Sequence, residues 1–244
     1  MLKGDVMITL DSKHLRYNIV IVGCGATGSQ LIPFVTQLCN NNKDKIRKIV
    51  FVDGDLFDKK NLQNQKCVES DVDRNKAKVL AERYNFIYPD LNIEYYDDYI
   101  KSWQTINDMV KYDTIVIGCV DNNRTRKILC EYFNKHSNDK LIYIDTGNGT
   151  DDRKGQIVIG YKDYENVILD CVGASFPDIY SSNENVEAIG TCMRVNNDNP
   201  QNIATNIYSA ANVFNILTNI IMFDKIENHI IFFNADKLSV YSRG

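Results

Sequence analysis

Apolar and polar positions alternate along this chain in blocks. Continuous, β-branched apolar runs occupy Asn18 to Val22, Lys48 to Val52, Thr114 to Ile117 and Leu141 to Ile144. Uninterrupted runs of this length belong to strands covered on both faces. Between them lie stretches of helical length at Ala26 to Asn40, Arg74 to Asn85, Ser102 to Val110 and Asn123 to Lys135. This alternation predicts an α/β fold, a Rossmann-like, mainly parallel sheet flanked by helices. Later strands at Gln156 to Gly160, and the pair Ile230 to Phe233 and Leu238 to Tyr241, are expected to extend the sheet at an edge or to form a ribbon. Gln201 to Met222 reads as one long helix, with Ile203, Ile207, Ala210, Ala211, Phe214, Leu217 and Ile221 as its apolar stripe. The intervening stretch, 161–200, has weak periodicity and many Asn, Asp and Ser residues, so a long mobile loop is expected there. The 244 residues are read as a single domain: a core over about 18–160, the loop over about 161–200, and a helix and strands over 201–244.

Composition narrows the class. With 44% hydrophobic and 25% charged residues the chain has the make-up of a globular domain. A net charge of -4 and a pI near 5.4 argue against a nucleic-acid binder held by phosphate electrostatics. No apolar run is long enough to span a membrane, and Asp5 and Asp11 interrupt the segment a signal peptide would need, so a cytoplasmic location is expected. The seven cysteines contain no CxxC pair, which leaves neither a zinc knuckle nor a disulfide framework to read.

The informative chemistry begins at the first strand, which runs directly into Gly23-Cys24-Gly25-Ala26-Thr27-Gly28. In a GxGxxG turn that opens a helix, Gly23 makes the tight turn. Gly25 lets a phosphate approach the backbone, and Gly28 lets the helix sit close to the strand. Asp53 ends the next strand, where a carboxylate can accept the ribose hydroxyls of NAD or ATP alike. Asp121 separates the two nucleotides. It follows the third core strand in Gly118-Cys119-Val120-Asp121-Asn122, and a carboxylate about 4 Å from a phosphate oxygen costs roughly 1 to 4 kcal/mol unless a cation lies between them. Magnesium reverses that sign, so Asp121 favours Mg-ATP and is the candidate metal ligand. Asp121-Asn122 also fits a helix N-cap ahead of Asn123.

The segments GCGATGSQ, VDGDLFDKKNLQNQ, Lys76-Ala77 and CVDNNRTR together resemble the ThiF, MoeB and ubiquitin-activating-enzyme superfamily. IDTGNG followed by KGQIVIG is similar, less specifically, to small ThiF-related proteins of plasmid and phage cassettes of the PRTRC type. The resemblance implies an adenylyltransferase that uses ATP and Mg2+ to activate the C-terminal carboxylate of a small β-grasp protein, either ubiquitin-like or sulfur-carrying, that ends in Gly. It also implies a homodimer. It gives Gly23, Gly25 and Gly28 to the phosphate turn, Asp53 to the ribose, Asn61 and Lys76 to the phosphates, and Asp121 to magnesium. Asp55, Gln65 and Asn122 join the nucleotide-binding set. Lys76, Asp121 and Asn61 are the catalytic candidates, because a positioned cation stabilises charge that grows on the departing pyrophosphate.

One position departs from the family. Where Asn-Leu-x-Arg-Gln is usual, this chain has Asn61-Leu62-Gln63-Asn64-Gln65, so the arginine expected at the phosphates is Asn64. Arg74, Arg124 and Arg126 are the local substitutes, with Arg126 better placed to hold the Asp121 loop. Loss of a preorganised cation at a phosphoryl centre lowers rates by roughly 10³ to 10⁵. A thioester step would need a cysteine, for which Cys192, near Arg194, and Cys171 are candidates, and a bystander role is the alternative for each. Cys24 and Cys119 are read as packing residues. Two rivals remain: a catalytically weakened binding module, and an NAD-dependent oxidoreductase that would leave Asn61, Lys76 and Asp121 unexplained.

Overall fold

The computed structural model describes residues 7–11, 16–149, 153–181 and 202–243. In chain order the strands are β1 (Ile8–Thr9), β2 (Tyr17–Val22), β3 (Ile46–Val52), β4 (Ile93–Tyr96), β5 (Thr114–Gly118), β6 (Leu141–Asn148), β7 (Lys154–Asp163), β8 (Asn166–Leu169), β9 (Lys225–Ile226), β10 (Ile230–Asn234) and β11 (Ser239–Arg243). The α-helices are α1 (Ala26–Asn41), α2 (Lys76–Ile87), α3 (Trp103–Met109), α4 (Asn123–Lys135), α5 (Val172–Ser175), α6 (Asp178–Ser181) and α7 (Ile203–Phe223). The main sheet runs β11-β10-β7-β6-β5-β2-β3-β4, with β8 pairing β7. Strands β4, β3, β2, β5 and β6 are parallel, and β7, β10 and β11 continue the sheet antiparallel. The Rossmann-like expectation therefore holds, and the late strands extend the sheet beyond β6.

The continuous apolar runs serve two cores at once because strand residues alternate in direction. In β2, Ile19 and Ile21 face a core shared with α1, α2 and α7, while Val20 and Val22 face a second core under α3 and α4. Strand order reverses between β2 and β5, so the helices that follow these strands diverge and leave a crevice at their C-terminal ends.

Three elements differ from the sequence reading. The strand β4 was not predicted, since its Ile-Glu-Tyr-Tyr sequence lies at the sheet edge with two residues exposed and lacks a continuous apolar run. The described part of 161–200 is ordered structure: β7 reaches Asp163, and β8, α5 and α6 follow. In α7 the buried face runs through Thr205, Asn206, Ser209, Ala210, Val213, Ile216, Leu217, Ile220 and Ile221. Ile203 and Ile207 are each 42% exposed instead. The helix is turned so that Asn206 meets Thr27 of α1 at 3.1 Å and Asn148 of β6 at 3.0 Å.

The tightest packing lies where β2 enters α1. A Cβ on Gly28 would overlap the carbonyl oxygen of Gly23. Gly28→Ala should therefore lower the unfolding free energy by about 3 kcal/mol, read as a fall in urea midpoint.

Candidate active site

The crevice is built around the turn after β2. Gly23 has φ of +92°, a left-handed conformation that favours glycine, and a Cβ there would stand 2.5 Å from the carbonyl oxygen of Cys119. Gly25 differs: the nearest atom to an added Cβ is Nε2 of Gln65 at 4.0 Å, so the space in front of its backbone is open. Among the described helices longer than ten residues, α2, α4 and α7 are capped by the side chains of Asn75, Asn122 and Asn202. By contrast, α1 begins at Gly25 with no side-chain cap. Its N-terminus is the one left without a protein oxygen to satisfy its donors, as a phosphate site requires.

Asp53 ends β3 and faces this turn. One carboxylate oxygen accepts from the backbone N–H of Cys24 at 2.7 Å and the other from that of Asp55 at 2.8 Å. Burial raises its pKa and the neighbouring Lys76 charge opposes that rise. Asp53 is thus a tie between the β3 end and the glycine turn, a role not evident in the sequence. Lys76, only 7% exposed, stands 3.2 Å from one oxygen of Asp55, whose other oxygen accepts from the Tyr99 hydroxyl. The Tyr99 ring covers Gly54, where a Cβ would stand 2.7 Å from it. Asn75 fastens the whole end, donating to the carbonyls of Asp53 at 2.8 Å and Asp55 at 3.3 Å while capping α2. Sequence reading missed Asn75 and Tyr99. An Asn directly before the Lys76 helix was the available signal for the first.

The segment after β3 forms a short 3-10 helix, Lys59–Gln63. Asn61 is buried, and its side-chain oxygen accepts from the backbone of Asp58 at 2.9 Å, closing a capping box. Gln65 lies beside the glycine turn with a buried side-chain oxygen that lacks a partner. Asn64 likewise has an unpartnered buried side-chain oxygen, while its carbonyl takes Gln30 of α1 at 3.3 Å. Arg83 holds the rest of the segment by pairing with Asp71 and donating to the carbonyl of Lys66 at 2.8 Å.

Across the crevice, the sequence reading of an N-cap is correct for Asn122, whose side chain accepts from Thr125 N at 2.8 Å. Asp121 is exposed beside it. Arg126 is the clamp of this loop, donating to the carbonyls of Val120 at 2.8 Å and Thr146 at 2.9 Å and pairing with Asp145 at 3.3 Å. Asp145 is 1% exposed and also accepts from the Tyr143 hydroxyl at 2.9 Å. Its pKa is raised by burial, with Arg126 pulling the other way. Of the local arginines, Arg74 pairs with Glu82 at 2.6 Å and Arg126 with Asp145 at 3.3 Å. Arg124 is exposed in the first turn of α4.

Burial raises the thiols of Cys24 and Cys119, the latter to about 12, in keeping with packing roles. Cys130 and Cys171 are both buried in the core under α3 and α4. Cys192 lies outside the described residues. Among the described residues no group of three or more His, Cys, Asp or Glu side chains could hold a metal ion. No described helix is long and apolar enough to cross a membrane.

The sequence profile of the ThiF family matches residues 8–223. Among solved structures, MccB of E. coli with ATP is 17% identical, with a TM-score of 0.62 over 93% of this chain and 63% of that one. MccB with AMPCPP and MccA is 16% identical, with a TM-score of 0.65 and the same coverage. PaaA is 12% identical, with a TM-score of 0.64 over 93% and 63% of the two chains. The chain thus spans less than two thirds of the length of these structures, and at such identity the likeness is one of fold. No curated protein matches the chain.

The buried pair gives a testable expectation. Arg126→Met strands the Asp145 carboxylate and should cost about 3–5 kcal/mol. A raised folded-state pKa favours the fold below the ordinary carboxylate range and ceases to do so as pH rises through it. The deficit should therefore shrink between about pH 7 and about pH 4 as Asp145 takes up a proton, measured by urea midpoints at both ends.

Proposed function

The chain belongs to the ThiF family, and we propose that it is an ATP-dependent adenylyltransferase that activates the C-terminal carboxylate of a small protein or peptide. One observation carries this reading: the uncapped start of α1 and the open backbone at Gly25 stand together with the Gln65 side-chain amide, whose Nε2 is the atom nearest that opening, and the buried Lys76 ammonium. This is a cradle for phosphates with a cation set into it. Asp53 would take the ribose through the lone pairs left on its oxygens, and Asn61 and Asn122 would border the nucleotide. Asp121 would hold magnesium. A single protein carboxylate suits that ion, which fills its remaining positions with phosphate oxygens and water and neutralises their charge.

In the reaction a carboxylate oxygen of the acceptor attacks the α-phosphorus, and the bond to the β-phosphate oxygen breaks and releases pyrophosphate. The nucleophile is already ionised, so positioning and charge neutralisation supply the catalysis. Lys76 stabilises the departing charge, and Asp55, held by Tyr99, orients Lys76. Cys192 and Cys171 are the candidates for a following thioester step.

The acceptor is a flexible tail. A β-grasp carrier ending in Gly and a short peptide both present one, and MccB, the microcin C7 biosynthetic enzyme, has been solved with N-formylated MccA. Placement with the PRTRC-type proteins rests on IDTGNG and KGQIVIG alone. The outward Ile203 and Ile207, together with Phe34 packed on Phe214 at 5.5 Å, support a homodimer. A weakened binding module is favoured only by Asn64, and activity measurement separates it from the enzyme.

The test is thermal stabilisation by ATP with and without Mg2+, with NAD as control. At 100 times its dissociation constant ATP should add about 2.7 kcal/mol. This gain should be lost in Gly25→Ala, which leaves the fold intact, and should lose its magnesium dependence in Asp121→Ala. An equal response to NAD, or none to ATP, would overturn the reading. Lys76→Ala should lower pyrophosphate release with a bound acceptor by roughly 10² to 10³.

A further inference from the structure

Helices α1 and α7 lie side by side and start at the same end, since Thr27 meets Asn206 near both N-termini and Phe34 meets Phe214 about two turns further along. Away from the crevice the contact is aromatic, with ring centroids 5.5 Å apart. At the crevice it is polar. The Thr27 hydroxyl donates to Asn206 Oδ1 at 3.1 Å and accepts from Asn148 Nδ2 at 2.9 Å, and Asn148 Nδ2 also donates to Asn206 Oδ1 at 3.0 Å. Each member comes from a different element. Thr27 lies in the first turn of α1, and Asn206 in the first turn of α7. Asn148 is the last residue of β6, where its backbone is held opposite Gly155 of β7. Asn206 is fully buried and Thr27 is 6% exposed.

Packing alone gives no reason for polar side chains here. Asn148 Oδ1 and Asn206 Nδ2 are buried without a partner, so the cluster leaves one acceptor and one donor unsatisfied. Such groups lower stability, and apolar side chains of the same shape would not. What hydrogen bonds add, and apolar contacts lack, is direction. The first helical bond of α1 runs from Ser29 N to Gly25 O at 2.9 Å, so the N–H groups of Ala26, Thr27 and Gly28 precede the ladder. Those are the donors that a phosphate at this helix start would meet. Thr27, in their midst, is the residue that the cluster holds.

We propose that Thr27, Asn148 and Asn206 are positioning residues for the nucleotide: their hydrogen bonds fix the first turn of α1 against β6 and α7 and so aim its N–H groups at the triphosphate. The inference rests on the reading of this crevice as the ATP site. Asn206 has no exposed surface, so it acts through Thr27 and not on the ligand. In this way α7 sets ATP affinity from a distance, and the unsatisfied amide groups are the stability given up for a fixed geometry.

ATP affinity with Mg2+ and the urea midpoint should be measured side by side on the full-length protein and its variants. Thr27→Val and Asn206→Leu should each raise the Kd for ATP about tenfold, the equivalent of one hydrogen bond. The double variant should bind no more weakly than the weaker single, because both changes remove the same tie. Thr27→Ser keeps the hydroxyl and should bind ATP as the wild type does. The triple variant, Thr27→Val with Asn148→Val and Asn206→Leu, also removes the unpaired groups. It should keep the wild-type urea midpoint and still show the tenfold loss. The idea is overturned if the variants bind ATP as tightly as the wild type, whatever their midpoints, or if the losses of the two singles multiply in the double. A Thr27→Ser loss equal to that of Thr27→Val overturns it as well. A wild type that binds no ATP overturns the reading of the site and the inference with it, whereas normal binding by wild type and variants alike overturns the inference alone. Should a single variant fail to fold, the triple variant decides.

Discussion

The carbonyl oxygens of Gly23 and Cys119 occupy the space that side chains at positions 28 and 23 would need, and this steric constraint joins β2, β5 and α1 at one point. Backbone hydrogen bonds complete the joint: Gly23 N meets Val52 O at 2.9 Å, and Cys119 N meets Val22 O at 2.8 Å. The ends of three parallel strands are thus locked around a single turn. Because that turn is rigid, the first N–H groups of α1 keep a fixed direction, and the polar groups gathered around them need not be reorganised to meet a charged ligand.

Buried charge is the second organising feature. Asp53 directly follows β3 and Asp145 lies within β6, with β2 and β5 between them, and burial raises the pKa of both. Asp145 pairs with Arg126 and accepts from the Tyr143 hydroxyl, while Asp53 accepts from two backbone N–H groups with the Lys76 charge nearby. Isolated, either carboxylate would be costly; held in this way, each pins a loop that borders the crevice. The glycine turn and the loop after β5 are positioned by polar ties that converge from opposite sides, while the helices supply the bulk of the packing.

Asn64 shows how the segment after β3 is held without a cation of its own. It closes the 3-10 helix, and its carbonyl takes the Gln30 amide of α1. The guanidiniums of Arg83 and Arg74 pair with Asp71 and Glu82.

Much of this was legible in the sequence. Continuous apolar runs identified β2, β3, β5 and β6 because strands covered on both faces carry no polar interruption, and Asn123–Lys135 matched α4 to the residue. The phosphate turn could be read from three glycines whose spacing has a steric cause. The edge strand β4 could not, since one buried face leaves too short a pattern. Nor could the facing of α7, which is set by the meeting of Asn206 with Thr27 and Asn148 across 179 and 58 positions of sequence. The Tyr99–Asp55–Lys76 chain and the Arg126 clamp on Asp145 likewise join residues distant in the sequence. Local periodicity and turn chemistry record what neighbours along the chain require. Which distant polar groups must satisfy one another once water is removed is decided only when the sheet and its helices close.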